Sequence, residues 1–172
     1  MLANIYIQNY ALIDEMSVNF CGQLNIITGE TGSGKSILLG ALGLILGDRA
    51  DASVLQDKTK KCIVEARFQL ESEKYQSYFE AHELDFDAQI IIRREINPQG
   101  KSRAFIQDTP VNLQVLRGLT SMLVDLHLQN ETQELNGPAF HLNIVDLMAG
   151  SHTLLGKFKK IYKAIFKIIK II

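Results

Sequence analysis

Eight consecutive residues near the start of the chain have the types and spacing of a phosphate-binding loop. They are Gly29, Glu30, Thr31, Gly32, Ser33, Gly34, Lys35 and Ser36. Glycines at both ends of such a loop let the backbone N–H groups turn inward around phosphate oxygens. In this chemistry Lys35 bridges the β- and γ-phosphates of a nucleoside triphosphate, and the hydroxyl of Ser36 is a ligand for Mg²⁺. The sequence therefore predicts a site for ATP with Mg²⁺.

A triphosphate site also needs a group that organises the metal and the attacking water, and the sequence offers two. The apolar run that begins at Ser121 ends at Asp125, which fits a strand with a magnesium-binding carboxylate at its end. The same run leads into the polar segment 127–133, in which Gln129 is the candidate. From these residues alone two alternatives stay open: a self-contained small phosphotransferase that uses Asp125, or a site that uses Gln129.

A phosphate-binding loop lies between a strand and a helix, and the flanking residues predict both. Leu24–Thr28 indicates a short buried strand, and Lys35–Leu46, which is apolar almost all round, indicates a helix buried on most faces. Gly47 stands where a left-handed C-terminal cap belongs. Gly40 and Gly43 each weaken this helix by roughly 1 kcal/mol relative to alanine, so we expect close packing against a neighbour.

The rest of the pattern predicts one α/β domain with a helical extension. Strands are expected at 5–7, 11–20, 62–70, 89–96, 102–107 and 122–126. Helices are expected at 72–82, with Ser72 as N-cap, at 111–120, opened by Thr109–Pro110, and at 138–148. A tight turn at Asn97–Gly100 joins two of the strands into a hairpin. From Ser151 onward, isoleucines spaced three and four apart indicate an amphipathic helix.

Charge is unevenly distributed along the chain. With 18 basic and 19 acidic residues the net charge is −1, but six lysines follow the last acidic residue, Asp146. The part before them therefore has 12 basic and 19 acidic residues, a net charge of −7. An acidic body with a short basic tail predicts, for this chain alone, only weak and salt-dependent contact with DNA.

The two cysteines and the apolar segments bear on the cellular compartment. Cys21 and Cys62 lie in apolar surroundings without the spacing of a metal or redox motif, so we expect buried, reduced thiols. No segment approaches the ~18 uninterrupted apolar residues of a membrane span, and the N-terminus lacks the pattern of a signal peptide. These features favour a cytoplasmic protein without membrane contact.

Five segments, taken in order, resemble the RecN family of bacterial DNA-repair ATPases, which is related to the SMC proteins and the ABC ATPases. They are Ile5–Ile13, Thr28–Ser36, Leu46–Asp51, Ser102–Val111 and Asp125–Glu131. The resemblance implies a P-loop NTPase fold of the ABC/SMC type. It would be an N-terminal lobe with a mixed sheet, a β-hairpin and a C-terminal helix that begins a coiled coil.

The resemblance also assigns roles to individual residues. Gln129 falls on the family's Q-loop, which helps to bind Mg²⁺ and senses the γ-phosphate, whereas Asp125 becomes the end of a strand. Arg49 matches a position near the nucleotide and the interface between two heads. The implied division is an ATP-binding lobe at 1–150 and the start of a coiled-coil arm at 151–172.

In the RecN family a C-terminal lobe completes the head, and its motifs are not visible here. That lobe supplies the signature motif, the second nucleotide motif with its Asp-Glu pair and the switch histidine. We therefore expect this chain alone to bind ATP without significant hydrolysis. The resemblance implies that its partners are the C-terminal lobe of the same protein, a second head in a homodimer and DNA, in the repair and recombination of double-strand breaks at the nucleoid.

The two candidates for the second half of the site can be separated by mutation. Gln129→Ala should weaken Mg²⁺-dependent binding of ATP and leave the affinity for ADP nearly unchanged, because the expected contact is to the metal and the γ-phosphate side. Asp125→Asn should weaken this binding of ATP less than Gln129→Ala does. Titration with a fluorescent ATP analogue measures both variants, and a larger loss in Asp125→Asn would favour the phosphotransferase.

Overall fold

The computed structural model describes residues 1–29, 34–50, 52–70, 75–126, 138–151, 154–158, 161–162 and 165. It divides the chain into two compact units, Met1–Asp125 and Leu126–Ile172. The functional division into 1–150 and 151–172 stays a prediction.

The first unit is built on a six-stranded sheet in the order β2-β1-β3-β4-β5-β6. The strands are β1 Leu2–Tyr10, β2 Ile13–Asn19, β3 Cys62–Gln69, β4 Gln89–Ile96, β5 Ser102–Ile106 and β6 Thr109–Val111. Every neighbouring pair is antiparallel. The strands predicted near the N-terminus, at 62–70 and in the hairpin are confirmed, and the described part of the sheet is antiparallel where a mixed sheet was expected.

Helices of the first unit pack against this sheet. The helices are α1 Lys35–Leu46, α2 Gln76–Ala81 and α3 Leu113–Leu123, and the second unit contains α4 Pro138–Met148. Helix α1 contacts β1, β3, β4 and α3, and α3 also contacts β5. The predicted bounds of α1 and α4 are confirmed. In the described part of the chain no helix is long and apolar enough to cross a membrane.

The core follows from strict alternation along the strands. Cys62, Val64, Ala66 and Phe68 of β3 are completely buried, while the residues between them are partly or fully exposed. Ala66 is paired with Ile5 of β1 on one side and Ile92 of β4 on the other, and both of those isoleucines are buried too. Each large side chain buried in this way stabilises the fold by about 1.5–3 kcal/mol.

Two predicted buried strands do not form among the described residues. Residues 24–28 lie in an irregular segment, with Leu24 80%, Ile26 74% and Ile27 51% exposed. At 122–126, helix α3 continues through Leu123, and an irregular segment follows. Apolar residues alone do not make a buried strand, because its backbone N–H and C=O groups need a partner strand.

Helix α1 is less enclosed than its composition indicated. Its second half is buried at Ala41, Gly43, Leu44 and Ile45, but Leu39 in the first half is 43% exposed. The close packing expected at Gly40 is confirmed, since a Cβ there would lie 2.6 Å from the hydroxyl of Tyr10. The exposed half of α1 lies nearest the irregular segment that precedes the phosphate-binding loop.

Smaller corrections concern the start of two helices. Thr109–Pro110 belongs to β6 and does not open a helix; the N-cap of α3 is Asn112, whose side chain accepts hydrogen bonds of 2.9 Å from the N–H groups of Gln114 and Val115. Helix α2 begins at Gln76, and the predicted N-cap at Ser72 lies outside the described residues.

The cysteine prediction is half right. Cys62 is buried on β3, and burial raises the pKa of its thiol to about 11. Cys21 was expected to be buried but is exposed, because it precedes the same irregular segment, which no neighbouring element covers in the described structure.

The cap of α1 gives a direct test of this fold. Gly47 has φ +104°, and a Cβ there would come within 2.5 Å of Cγ of Arg117. Gly47→Ala should therefore lower the free energy of unfolding by about 1–2 kcal/mol, measured by urea denaturation. The control is Gly156→Ala, where a Cβ meets nothing within 4 Å. Equal stability of the two variants would contradict the strained cap.

Candidate nucleotide-binding site

The N-terminal end of α1 is shaped for an anion. Gly34 is its N-cap, with φ 94° and ψ −2°, a left-handed conformation that strongly favours glycine. Its carbonyl accepts hydrogen bonds of 3.0 Å from the N–H groups of Ile37 and Leu38. The first turn of α1 contains no acidic residue, and Gly34 provides no side-chain cap. The partial positive charge of this helix end is therefore not neutralised by the helix itself.

Lys35 and Ser36 are the first two residues of α1. The Nζ group of the partly buried Lys35 donates a hydrogen bond to the carbonyl of Gly29. This bond joins the two ends of the loop and places the ammonium group at the loop rather than out in solvent. Ser36 is exposed on the first turn. The remaining predicted loop residues, Glu30, Thr31, Gly32 and Ser33, lie outside the described residues.

A cavity of about 290 Å³ opens beside the loop. Its lining residues are Ile13, Met16, Val18, Ile27, Thr28, Gly34, Lys35 and Leu38. The side contributed by β2 is apolar, and Lys35 brings a cation to the same cavity. An apolar wall next to a cationic group suits a ligand that combines a flat apolar part with a negative charge.

Arg49 lies at the opposite end of α1. The helix has 12 residues, so its two ends are ~18 Å apart. Arg49 is exposed, two residues beyond the cap at Gly47. Within one copy of the chain, the structure therefore does not bring Arg49 next to Lys35, and its assignment to an interface between heads stays a prediction.

The candidates for the second half of the site are not resolved by geometry. Asp125 is exposed and follows the end of α3, so it does not stand at the end of a strand. Gln129 and the rest of segment 127–133 lie outside the described residues. The assignment of Gln129 as a Mg²⁺ ligand therefore stays a prediction.

One buried residue near α1 was not identified from the sequence as a candidate. Arg94 of β4 is completely buried and donates a hydrogen bond of 2.9 Å to the carbonyl of Leu44 in α1. The signal was present in the alternation of β4, where Arg94 shares the core face with Ile90, Ile92 and Ile96. A charged residue at a core position needs polar partners.

Comparison with known proteins assigns the chain to a family. The AAA domain family matches residues 4–171. The chain belongs to the AAA domain family. At this coarse level the function is nucleotide binding, as the phosphate-binding loop predicted.

Curated relatives confirm the predicted resemblance to RecN. DNA repair protein RecN of Halalkalibacterium halodurans is 38% identical over 168 residues, which cover 95% of this chain and 30% of that protein. RecN of Vibrio cholerae is 38% identical over 164 residues, which also cover 95% of this chain and 30% of that protein. RecN of Bacillus subtilis is 33% identical over 174 residues, which cover 99% of this chain and 30% of that protein. The chain thus spans about 30% of the length of these relatives.

Solved structures confirm the predicted fold. The Smc head domain of Pyrococcus yayanosii, with coiled coil and joint, aligns with a TM-score of 0.64 at 16% identity, covering 92% of this chain and 34% of that one. A chain from work on "ATP-driven dimerization and DNA stimulated activation of SMC ATPases" aligns with a TM-score of 0.60 at 16% identity. The alignment covers 84% of this chain and 97% of that one. At this identity the similarity shows the fold, which is that of an SMC-type head.

Lys35→Ala tests the site. The change removes one charge-assisted contact to phosphate, so the affinity for ATP should fall by about 2 kcal/mol or more, roughly thirtyfold in Kd. The free energy of unfolding should change little, since Lys35 is only partly buried. Titration with a fluorescent ATP analogue measures the loss. The control is Lys101→Ala, an exposed lysine in the β4–β5 turn, and equal affinities of the two variants would contradict the site.

Proposed function

We propose that this chain is the ATP- and Mg²⁺-binding N-terminal lobe of a RecN-like DNA-repair ATPase. The observation that carries the proposal is the N-terminal end of α1. There a left-handed glycine cap, a lysine held at the loop and a first turn free of acidic residues coincide within the phosphate-binding motif. The RecN relatives support the assignment to this class of ATPase.

Lys35 and Ser36 divide the work at the phosphates. Lys35 exchanges the carbonyl of Gly29 for the β- and γ-phosphates, since a phosphate oxygen is a stronger acceptor for an ammonium group than a neutral carbonyl. Ser36 would hold Mg²⁺ through its hydroxyl, with Gln129 as a further ligand. When bound, the metal neutralises charge on the phosphates. The apolar side chains of Ile13, Met16 and Val18, which line the cavity, would cover the nucleoside.

The lobe is proposed to work together with a C-terminal lobe of the same protein. Leu24, Ile26 and Ile27 are exposed immediately before the phosphate-binding loop, as is Leu39 on α1. A second lobe that pairs a strand with residues 24–28 would bury these side chains and satisfy the backbone of this segment. This chain spans about 30% of the length of the RecN relatives, so a protein of their size would have ample further length for such a lobe.

Action on DNA is proposed for the assembled protein. Two heads would associate when ATP is bound, with Arg49 at their interface, and the assembly would act in double-strand-break repair in the cytoplasm at the nucleoid. The net charge of −1 makes this chain alone a poor electrostatic match for DNA. DNA contact would then depend on the arms and surfaces of the complete protein.

A self-contained phosphotransferase is less well supported. That function needs Asp125 at the end of a strand beside the phosphate-binding loop, so that its carboxylate reaches the metal. Instead α3 continues to Leu123, and Asp125 is exposed beyond it.

Turnover distinguishes the half-head from a complete enzyme. This chain alone should bind ATP and hydrolyse it only at a trace rate, because the cradle and its lysine supply only part of what phosphoryl transfer to water requires. Adding the C-terminal lobe in trans should restore phosphate release, with a rate that rises more than linearly with protein concentration. The control is the same mixture with Lys35→Ala. Robust, concentration-independent hydrolysis by residues 1–172 alone would overturn the proposal.

A further inference from the structure

The C-terminal end of α1 is held by side chains from two other elements, β4 and α3. Arg94 of β4 donates from Nη1 to the carbonyls of Leu44, at 2.9 Å, and Asp48, at 3.2 Å. Its Nη2 donates to Oγ of Ser102 on β5 at 2.6 Å. From α3, Nε of Arg117 donates to the carbonyl of Gly47 at 2.9 Å. The hydroxyl of Thr120 on α3 also donates, to the carbonyl of Leu46 at 3.1 Å. The end of α1 and the two residues beyond it are thus fixed by their backbone carbonyls.

The electrostatics of this end explain how a cation can be buried there. The last turn of α1 contains no basic residue of its own, so the negative end of the helix dipole is matched by Arg94 and Arg117 from outside the helix. Burial lowers the pKa of Arg94. The nearby carboxylate of Asp48 raises this pKa, and the positive charge of Arg117 lowers it further. An arginine nevertheless keeps its proton, and the carbonyls of Leu44 in α1 and of Asp48, just after the cap, accept two of its hydrogen bonds.

The contacts of Arg94 fall on both sides of the cap. Leu44 belongs to α1, whereas Asp48 follows the left-handed residue Gly47, at which the chain turns away from the helix axis. One planar guanidinium group therefore ties the segment after the cap to the helix before it. Lysine has a single nitrogen and cannot reproduce this geometry together with the bond to Ser102.

We infer that Arg94 is a positioning residue that fixes the segment Gly47–Arg49 to the end of α1 and so sets where the side chain of Arg49 stands. The inference rests on the proposed function in one respect, the use of Arg49 when two heads associate. Since the other end of α1 holds the phosphate-binding lysine, one rigid helix then links the nucleotide to Arg49. Among the described residues, the hydrogen bonds of Arg94 go to Leu44, Asp48 and Ser102 and not to the phosphate-binding loop.

Amide hydrogen exchange tests the positioning in this chain directly. The N–H of Gly47 bonds to the carbonyl of Leu44 and that of Asp48 to the carbonyl of Gly43, so both report on the cap. In Arg94→Lys these two amides should exchange at least ~10-fold faster, with amides of β3 unchanged. Arg94→Met, which leaves no buried charge, should show the same local effect if the lysine variant folds poorly.

The matched control is Arg93→Lys. Arg93 directly precedes Arg94 in β4, but its guanidinium lies 4.7 Å from the ring centroid of Phe105, on the opposite face of the sheet. Its substitution should leave the exchange of Gly47 and Asp48 unchanged. Unchanged exchange of Gly47 and Asp48 in both Arg94→Lys and Arg94→Met overturns the inference. An equal acceleration of exchange in β3 also overturns it, because Arg94 would then stabilise the whole fold and not the cap in particular.

A double-mutant cycle tests the link to Arg49. ATP-dependent self-association is measured by sedimentation with the C-terminal lobe present, for Arg49→Ala, Arg94→Lys and the double variant. Each single change should weaken association by roughly tenfold, and the double variant should be no weaker than Arg49→Ala, because both changes remove one effect. If the two changes weaken association independently, so that the double variant is weaker by the product of the two single effects, the link between Arg94 and Arg49 is overturned. Failure of the unmodified protein to associate contradicts the proposed function, and the exchange experiment then decides the inference alone.

Discussion

Helix α1 is polarised, and much of the first unit serves to complement its two ends. At the N-terminal end, next to Gly34 and Lys35, the first turn of the helix contains no acidic residue to neutralise the positive dipole. At the C-terminal end the negative dipole is matched by Arg94 and Arg117, which come from β4 and α3. A helix neutralised at one end only is held firmly in the fold while its other end stays able to attract an anion.

The antiparallel sheet supplies the platform that makes this arrangement rigid. Alternation along β3 and β4 buries one face, against which α1 packs, and leaves the other face largely polar, while α3 packs on β5. Arg94 interrupts the apolar face of β4 at the position where the helix end arrives. A buried charge of this kind is tolerated because its partners are already ordered, and its removal would take one donor from the carbonyls of Leu44 and Asp48.

The exposed apolar segment 24–28 relates the fold to its relatives. A chain that spans about 30% of the RecN proteins and has the fold of an SMC-type head would leave apolar surface where another part of the head packs. Leu24, Ile26 and Ile27, exposed directly before the phosphate-binding loop, would be such a surface in the proposed two-lobe head. Their burial would stiffen the strand side of the loop, and this offers a physical reason why a nucleotide site could depend on a second lobe.

The features that could be predicted from the amino-acid sequence are those that depend on short-range physics. These include the bounds of α1 and its cap at Gly47, the hairpin turn at Asn97–Gly100 and the phosphate-binding motif. Features that depend on partners far away in the chain became visible only in the folded molecule. Residues 24–28 have the composition of a buried strand but lack a neighbouring strand in the described structure, and 122–123 continue α3 instead. Arg94 could be placed on the core face by alternation, but only the fold shows that the end of α1 accepts its hydrogen bonds, because those contacts join residues about 50 positions apart.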